Sequence, residues 1–400
     1  MQRSMQKPIV AIALVALAMI PLAFAAPCQT GCAGKTPLKC AADGLSAHQW
    51  CEFATPGAAT MRAALETCNS SSASQPQTFT ETDTAVWDPV RNRALYGGSP
   101  HHGGSGITTY DEATNTWNLV EDLVYPPFVT CRSPATCANG KTECNSPYND
   151  TSHGYDHNAM DPTRGEWFIQ QYNSQVVNRS VDRTNWTPLP DNYCNNVVTN
   201  PIVYFPDRTA GEGLFRLCQG SAANVNFWDR TTNTWSSLVE TGCTLTGAQD
   251  IYGWAEYDPV NKLVWFGGQS TNPSCTFKAD GTFDQEAGSP FVLSPKESLI
   301  SADPVRGGFI VRNECSPYQW RTYDPIAETW ATITWSMPPV YDDPSTSICG
   351  AADNMEVTIA EYNVIMYISY NVGNPKVFLY RHSDSTPPTT PAPPTGVRPV

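Results

Sequence analysis

Short apolar runs separated by tight-turn signals recur through most of the chain. The first unit spans 87–117, where Asp88-Pro89 marks a turn because proline presets φ and the aspartate side chain bonds nearby backbone. An apolar run ending in Gly97-Gly98 follows, then a Gly/His-rich loop, the pair Tyr110-Asp111 and finally Trp117. This order predicts four short strands joined by a turn, a loop and a second turn.

The same unit returns along the chain. Five aspartates mark it, each beside a proline and each followed by a closing aromatic residue 25 to 29 positions later: Asp88, Asp161, Asp207, Asp258 and Asp303. Successive aspartates are separated by 73, 46, 51 and 45 residues, and a degraded sixth copy begins at Glu361-Tyr362-Asn363. Repeats of about 40 to 50 residues fit four-stranded propeller blades, so we expect an all-β, six-bladed β-propeller.

The repeat resembles the Kelch family and the central propeller of galactose oxidase-like proteins over residues 80–383. The resemblance rests on the Asp-Pro turn, the closing aromatic residue and the double glycines Gly97-Gly98 and Gly267-Gly268. The other four copies lack the double glycine. An unrelated β-sandwich with frequent Asp-Pro turns is the alternative.

Residues 1–25 read as a secretory signal peptide, with Arg3 and Lys7 before an apolar core and Ala23-Phe24-Ala25 as the cleavage site. We therefore expect a secreted or periplasmic protein without membrane insertion after cleavage. Residues 26–79 form a cysteine-rich extension, and the Pro/Thr-rich residues 384–400 form a tail or linker. The extension is expected to complete the last blade, through the segment at Trp50 or through 75–79.

Formal charge excludes one class of partner. The whole chain carries −14, and loss of Arg3 and Lys7 takes this to −16. A chain this acidic, without a basic cluster, is not expected to bind nucleic acid.

Fourteen cysteines in an exported chain predict disulfide bonds. In a propeller the loops that enter a blade and that join its second and third strands share one face, which we call the loop face. The other two turns of each blade form the turn face. Loops of one blade are neighbours, which predicts the pairs Cys194–Cys218 and Cys243–Cys275, and Cys315–Cys349 between two blades. The other eight cysteines are expected to pair among the N-terminal region and the insertion at 131–144.

Long, varied loops make the loop face the expected binding surface. Histidines, aromatic residues and acids fall there, and the candidate binding residues are His101, His102, His153, Tyr155, His157, Tyr252, Trp254, Glu297, Asn354 and Glu356. A metal or polyol pocket is one interpretation of this set, and solvated loop residues are the other. No metal ligand or cofactor can be named from the sequence.

Three functions remain open. The first is a monomeric module that binds a glycan or protein partner through the loop face, and we expect this rather than an enzyme. The second is a sugar-modifying enzyme, epimerase- or oxidase-like, with Glu297 and Glu356 as acid/base candidates at the channel mouth. Copper-radical oxidases of the galactose oxidase type use a tandem Tyr-His pair, and no histidine here follows a tyrosine. The third is a structural or surface-display module.

Overall fold

The computed structural model describes 27–57, 83–97, 107–120, 134–136, 142–144, 154–170, 176–182, 185–190, 194, 200–218, 224–238, 241–244, 252–268, 274–295, 298–313, 318–340, 354–369 and 376–383. Its strands form six four-stranded antiparallel sheets, and a separate two-stranded sheet lies at Pro134–Thr136 and Thr142–Cys144. The six sheets are the blades of a closed propeller, which confirms the predicted architecture.

Within each blade the strands follow one another from the channel to the rim. Their bounds are Val86–Asp88, Arg93–Gly97, Ile107–Asp111 and Thr116–Val120 in blade 1; Asn158–Asp161, Glu166–Gln170, Val177–Ser180 and Thr187–Pro188 in blade 2; Ile202–Phe205, Gly213–Cys218, Asn224–Asp229 and Thr234–Leu238 in blade 3; Trp254–Asp258, Leu263–Gly267, Cys275–Lys278 and Phe283–Gln285 in blade 4; Ser298–Ala302, Phe309–Asn313, Gln319–Asp324 and Thr329–Thr332 in blade 5; and Asn354–Ile359, Val364–Ser369, Lys376–Arg381 and Gln49–Glu52 in blade 6.

Blade 6 takes its outer strand from the N-terminal segment. Trp50 lies opposite Tyr380 and Glu52 lies opposite Phe378, in antiparallel register. This confirms the closure predicted at Trp50, whereas the competing segment 75–79 lies outside the described residues. A disulfide between Cys28 and Cys51 fixes the strand to the chain before it. The ring is therefore closed by pairing between residues more than 300 positions apart.

A short helix, Pro37–Asp43, precedes this strand. The Thr36 side chain accepts a hydrogen bond from the Lys39 amide and so caps the helix. A disulfide joins Cys32 to Cys40. Leu38 and Ala41 are buried in the hydrophobic core between blades 6 and 1, so the extension is part of the propeller core.

Each interface between neighbouring blades holds its own apolar core. Aromatic residues dominate between blades 3 and 4, where the rings of Phe215 and Phe266 have centroids 4.9 Å apart. Trp265 fills the interface between blades 4 and 5 and stacks on Tyr323 at 4.6 Å. Gly97 marks a close approach between blades 1 and 2, because a β-carbon there would lie 2.0 Å from Ile169 Cδ1. The second strands are buried along their length because both faces of each sheet pack against another sheet.

The turn aspartates also link the blades. Asp88, Asp161, Asp207, Asp258 and Asp303 all lie at the connection between the first and second strands, which places them on the turn face as predicted. Asp258 shows the turn geometry that it shares with Asp88, Asp161 and Asp303. Its Oδ1 accepts hydrogen bonds from the amides of Val260 and Asn261 at 2.9 Å, and its Oδ2 accepts one from the Gly308 amide of blade 5 at 2.6 Å.

Polar contacts of this kind cross all six interfaces on the turn face. Arg91, held by Asp88, donates to the Gly165 carbonyl at 3.0 Å, and Asp161 pairs with Arg230 at 2.9 Å. The remaining links are Lys262 with Asp207 at 3.0 Å, Gly308 with Asp258, Ser383 with Asp303 at 3.0 Å, and Tyr362 with Glu112 at 2.9 Å. We call this set the turn belt.

Replacing Asp258 by alanine should destabilise the ring more than the same change at Asp324. Both residues cap an Asp-Pro turn, but Asp324 is exposed and accepts only local amides, from Ile326 and Ala327. Loss of Asp258 leaves the buried Gly308 amide without its acceptor. This should lower the free energy of unfolding by about 1–3 kcal/mol for that group alone. Chemical denaturation should show this loss for D258A and less than about 1 kcal/mol for D324A. Equal losses would show that the belt contact adds nothing to the local turn.

A chain that begins at residue 80 should melt well below the intact chain, because blade 6 loses its outer strand and exposes unpaired backbone. Removal of residues 384–400 is the matched control, since a Pro/Thr-rich segment buries little apolar surface. Calorimetry on the three chains gives the melting temperatures. An unchanged melting temperature in the N-terminal truncation would contradict the closure.

Candidate functional site

Three contacts between blades that are not neighbours locate the site. Blades 2 and 4 are separated by blade 3, yet the Ala255 amide donates a hydrogen bond to Asp156 Oδ2 at 3.1 Å. The rings of Tyr155 and Tyr252 meet edge to face with centroids 5.9 Å apart. Thr84 Oγ1, at the start of blade 1, donates to Glu256 Oε1 of blade 4 at 2.8 Å. Segments on opposite sides of a six-bladed ring meet only at its axis, so these residues lie in the central channel.

A short segment before blade 1 enters the channel along blade 6. Thr84 forms a parallel bridge with Glu356. The Ala85 amide donates to the Glu356 carbonyl, and the Glu356 amide donates to the Asp83 carbonyl, both at 2.9 Å. This pairing holds the Thr84 side chain where it reaches Glu256.

Four acidic residues therefore surround Thr84: Asp83, Asp156, Glu256 and Glu356. We call them the channel carboxyls. Glu256 and Glu356 are each the third residue of a first strand, and Asp156 lies two residues before one. First strands start at the loop face, so the group lies in the loop-face half of the channel. Glu256 keeps partial solvent exposure, whereas the other three are buried.

Burial sets the ionisation of this group. Desolvation raises the pKa of Asp156 to about 6, against hydrogen bonds from the Ala255 amide, Thr84 and Asp83 that lower it. Desolvation, and then the charges of Glu356 and Asp156, raise the pKa of Glu256 well above its usual range. The pKa of Glu356 is also well above its usual range, again chiefly through desolvation. The largest contributions to these three shifts are burial, neighbouring carboxyls and hydrogen bonds.

The structure brings part of the predicted binding set to this place. Tyr155, Tyr252, Trp254, Asn354 and Glu356 lie at the loop-face ends of first strands, and Tyr252 alone of these keeps partial exposure. Tyr155 and Trp254 are 1% exposed, so they do not form a surface rim, and Trp254 packs on Trp265 in the core between blades 4 and 5.

His157 links two neighbouring blades inside the fold. It is buried, and its Nε2 accepts a hydrogen bond from the Asn200 amide of the loop before blade 3 at 3.3 Å. The ring thus presents a neutral acceptor nitrogen and links two neighbouring blades. His101, His102, His153 and Glu297 lie outside the described residues. Within the described ranges, no group of three or more His, Cys, Asp or Glu side chains is arranged to hold a metal ion.

The sequence pattern did not single out three residues of this site: Asp156, Glu256 and Thr84. The available signal was charge inside a strand that the repeat predicts to be innermost: Glu256 follows Trp254-Ala255 and precedes Tyr257. A glutamate among large apolar residues in such a strand must face either the channel or a partner. Thr84 had no comparable signal, because its role depends on crossing the axis.

Two disulfides brace the loop face beside the channel end. Cys194–Cys218 joins the loop entering blade 3 to the end of its second strand, with Cα atoms 5.2 Å apart. Cys243–Cys275 joins the loop entering blade 4 to the start of its third strand, with Cα atoms 5.9 Å apart. Both within-blade pairs are confirmed as predicted, whereas Cys315 and Cys349 lie outside the described residues. The four described disulfides indicate an oxidising, extracytoplasmic compartment.

In the part of the chain that the structure describes, no helix is long and apolar enough to cross a membrane.

Comparison with known proteins does not identify a family. No protein-family model matches the chain, and no curated protein matches it. Among solved structures, the chain is similar to one titled "Crystal structure of Nidogen/Laminin Complex", with TM-score 0.41 and 10% identity over 63% of this chain and 79% of that chain. It is also similar to "YCF48 bound to D1 peptide", with TM-score 0.40 and 10% identity over 73% and 76%. Likenesses this distant do not bear on function.

The channel carboxyls should make the protein more stable as pH falls from 7.5 to 5. A carboxyl whose folded pKa is raised stabilises the fold when protonated, and that contribution is lost as pH rises through the folded pKa. His382, whose pKa is lowered chiefly by burial, acts in the opposite sense. Below about pH 4.5 the salt-bridged carboxylates dominate instead, since hydrogen bonds from Arg164 and Tyr204 outweigh burial and lower the pKa of Glu212.

Thermal melts across this range should show a rising midpoint on acidification in the intact protein. The double variant Glu256→Gln/Glu356→Gln removes two titrating groups and should flatten the profile, which separates their effect from that of His382. The interpretation is wrong if the two proteins have parallel profiles.

Proposed function

We propose that this protein is an exported, Kelch-type propeller that binds a protein or glycan partner through its loop face. The observation that carries the proposal is the pair of disulfides at that face. Cys194–Cys218 and Cys243–Cys275 join residues 24 and 32 positions apart in the sequence. Both fix loops of adjacent blades beside the channel end. Loops held in one shape lose less entropy on binding, which is the advantage of a preorganised surface.

Export is supported by the signal-peptide pattern at 1–25 and by the oxidising compartment that the disulfides indicate. The Kelch assignment is supported by the Asp-Pro turns, whose aspartates the turn belt uses, and by the close packing at Gly97. The protein is proposed to act as a monomer, with a mature segment of three parts: 26–79, 80–383 and 384–400.

The second candidate is a sugar-modifying enzyme at the channel mouth. Its support is the burial of Glu356, which raises the pKa of this carboxyl well above its usual range, the direction that suits a proton donor. Its test is conversion of a glycan by the intact protein and loss of that conversion in Glu356→Gln.

Binding through the braced loops is tested by comparing two disulfide deletions. The purified protein is screened against a glycan array and a panel of exported proteins. Cys194→Ser/Cys218→Ser should weaken the binding of any ligand found by about tenfold or more, because the loops of blade 3 then regain conformational freedom. Cys32→Ser/Cys40→Ser removes a disulfide at the N-terminal helix, which packs near the turn belt, and should leave affinity unchanged.

Melting curves of both variants show whether the ring remains folded, since the chain-entropy model gives about 3–4 kcal/mol for Cys194–Cys218 and about 2.5 kcal/mol for the shorter Cys32–Cys40 loop. Equal weakening in the two variants would contradict a loop-face site. A screen without any ligand would favour the structural or surface-display module.

A further inference from the structure

We propose that the loop-face end of the channel receives a cationic side chain, the ammonium of a lysine or the guanidinium of an arginine, presented by a protein partner. The inference rests on the proposed loop-face binding and names the chemistry of its anchor. It is carried by the convergence of the channel carboxyls, by two buried oxygens without a hydrogen bond of normal geometry and by the tyrosine pair beside them.

The charges at this site are of one sign. Asp156, Glu256 and Glu356 come from blades 2, 4 and 6, so three alternate blades each send one carboxyl toward the axis. Thr84 is the neutral group between them, with its hydroxyl on Glu256. Like charges brought together in a buried place cost free energy unless they are protonated or meet a cation. A bound cation would turn this repulsion into attraction.

One oxygen on each of two carboxyls has no hydrogen bond of normal geometry among the described residues, although the hydroxyls of Thr84, Ser301 and Thr358 lie near enough to lower the pKa of one or the other. The two oxygens are Oδ1 of Asp156 and Oε2 of Glu356, on side chains only 3% and 1% exposed. Buried acceptors of this kind are nearly always paired in folded proteins. An ammonium offers three donors and a guanidinium five, which suits acceptors that approach from different blades.

The tyrosine pair lies next to the carboxyls toward the loop face. Tyr155 immediately precedes Asp156, and Tyr252 lies four residues before Glu256. Their edge-to-face contact places two aromatic rings at the same end of the channel. Aromatic faces attract ammonium and guanidinium groups, so rings and carboxyls together select an organic cation.

Solvent reaches this place, because Tyr252 and Glu256 both keep partial exposure. The net charge of −14 adds a long-range attraction for a basic partner. This end of the channel therefore combines partly exposed residues, aromatic rings and carboxyl acceptors.

Titration calorimetry with tetralysine tests the site, with ε-acetylated tetralysine as the uncharged counterpart. At pH 7.5 the intact protein should bind tetralysine and not the acetylated peptide. Glu256→Gln should weaken binding about tenfold, a loss of ~1.4 kcal/mol, because it removes one carboxylate from the site. This variant should fold, since glutamine has the shape of glutamic acid and keeps an acceptor oxygen for Thr84.

Glu328→Gln is the matched control, since it makes the same charge change at an exposed turn on the opposite face. It should keep the affinity of the intact protein. Binding should also weaken at pH 5, where protons compete for the carboxyls, and should release protons at pH 7.5. These two readouts would not follow from attraction to a generally acidic surface.

Several results would overturn the inference. Equal weakening by Glu256→Gln and Glu328→Gln would mean diffuse surface attraction. No binding of tetralysine, or binding of Ca²⁺ that excludes the peptide, would mean that protons or a metal occupy the site. A macromolecular ligand that binds Glu256→Gln and the intact protein equally would overturn this inference and leave the loop-face function standing. Tetralysine binding that depends on Glu256, with no ligand sensitive to the Cys194–Cys218 brace, would support the site and contradict the proposed function.

Discussion

The buried turn aspartate is the interaction on which the ring depends. At Asp258 one carboxylate oxygen organises the turn of its own blade and the other accepts an amide of the next blade. The side chain is fully buried, so both oxygens must be satisfied by the protein itself. One residue thus couples local turn geometry to the position of a neighbour. Repeated around the ring, this coupling sets the angle between sheets that apolar packing alone leaves less defined.

Apolar packing and the turn belt act at different distances from the axis. The interface cores, such as the phenylalanine group between blades 3 and 4, supply most of the burial and tolerate small shifts of one sheet over another. Hydrogen bonds to a buried carboxylate tolerate far less. Gly308 lies where apolar packing and the hydrogen bond to Asp258 must both be satisfied, and this position requires glycine. Its φ is +76°, and a β-carbon would lie 2.6 Å from the Tyr323 carbonyl oxygen. The approach of blade 5 to Asp258 therefore needs a residue without a side chain.

Features encoded within one repeat could be predicted from the sequence. The Asp-Pro turn, the four-strand order and the within-blade disulfides all involve residues fewer than about 35 positions apart, and the loop-face neighbourhood of Cys194 and Cys218 follows from blade topology alone. Closure at Trp50 was also predictable, because an unpaired edge on blade 6 requires a strand from elsewhere. The contacts in the channel could not be predicted in this way. Contacts such as Asp156 with the Ala255 amide join residues 99 positions apart, and their existence depends on the ring diameter and on the rotation of each first strand.

Burial of the channel carboxyls costs free energy, which the packing of the rest of the ring offsets. Protonation of Glu256 and Glu356 lowers that cost at acidic pH, and their raised pKa values record how unfavourable the ionised forms are in place. A purely structural axis would be served as well by apolar or amide side chains, which need no proton. Thr84, fixed by its parallel bridge to Glu356, holds its hydroxyl on Glu256 and so keeps these acids in a defined arrangement. Destabilising groups held in fixed positions are typical of binding and catalytic sites, because the ligand supplies what the empty site lacks. The axis, beside the braced loops of blades 3 and 4, is therefore the part of the ring where we propose that a ligand binds.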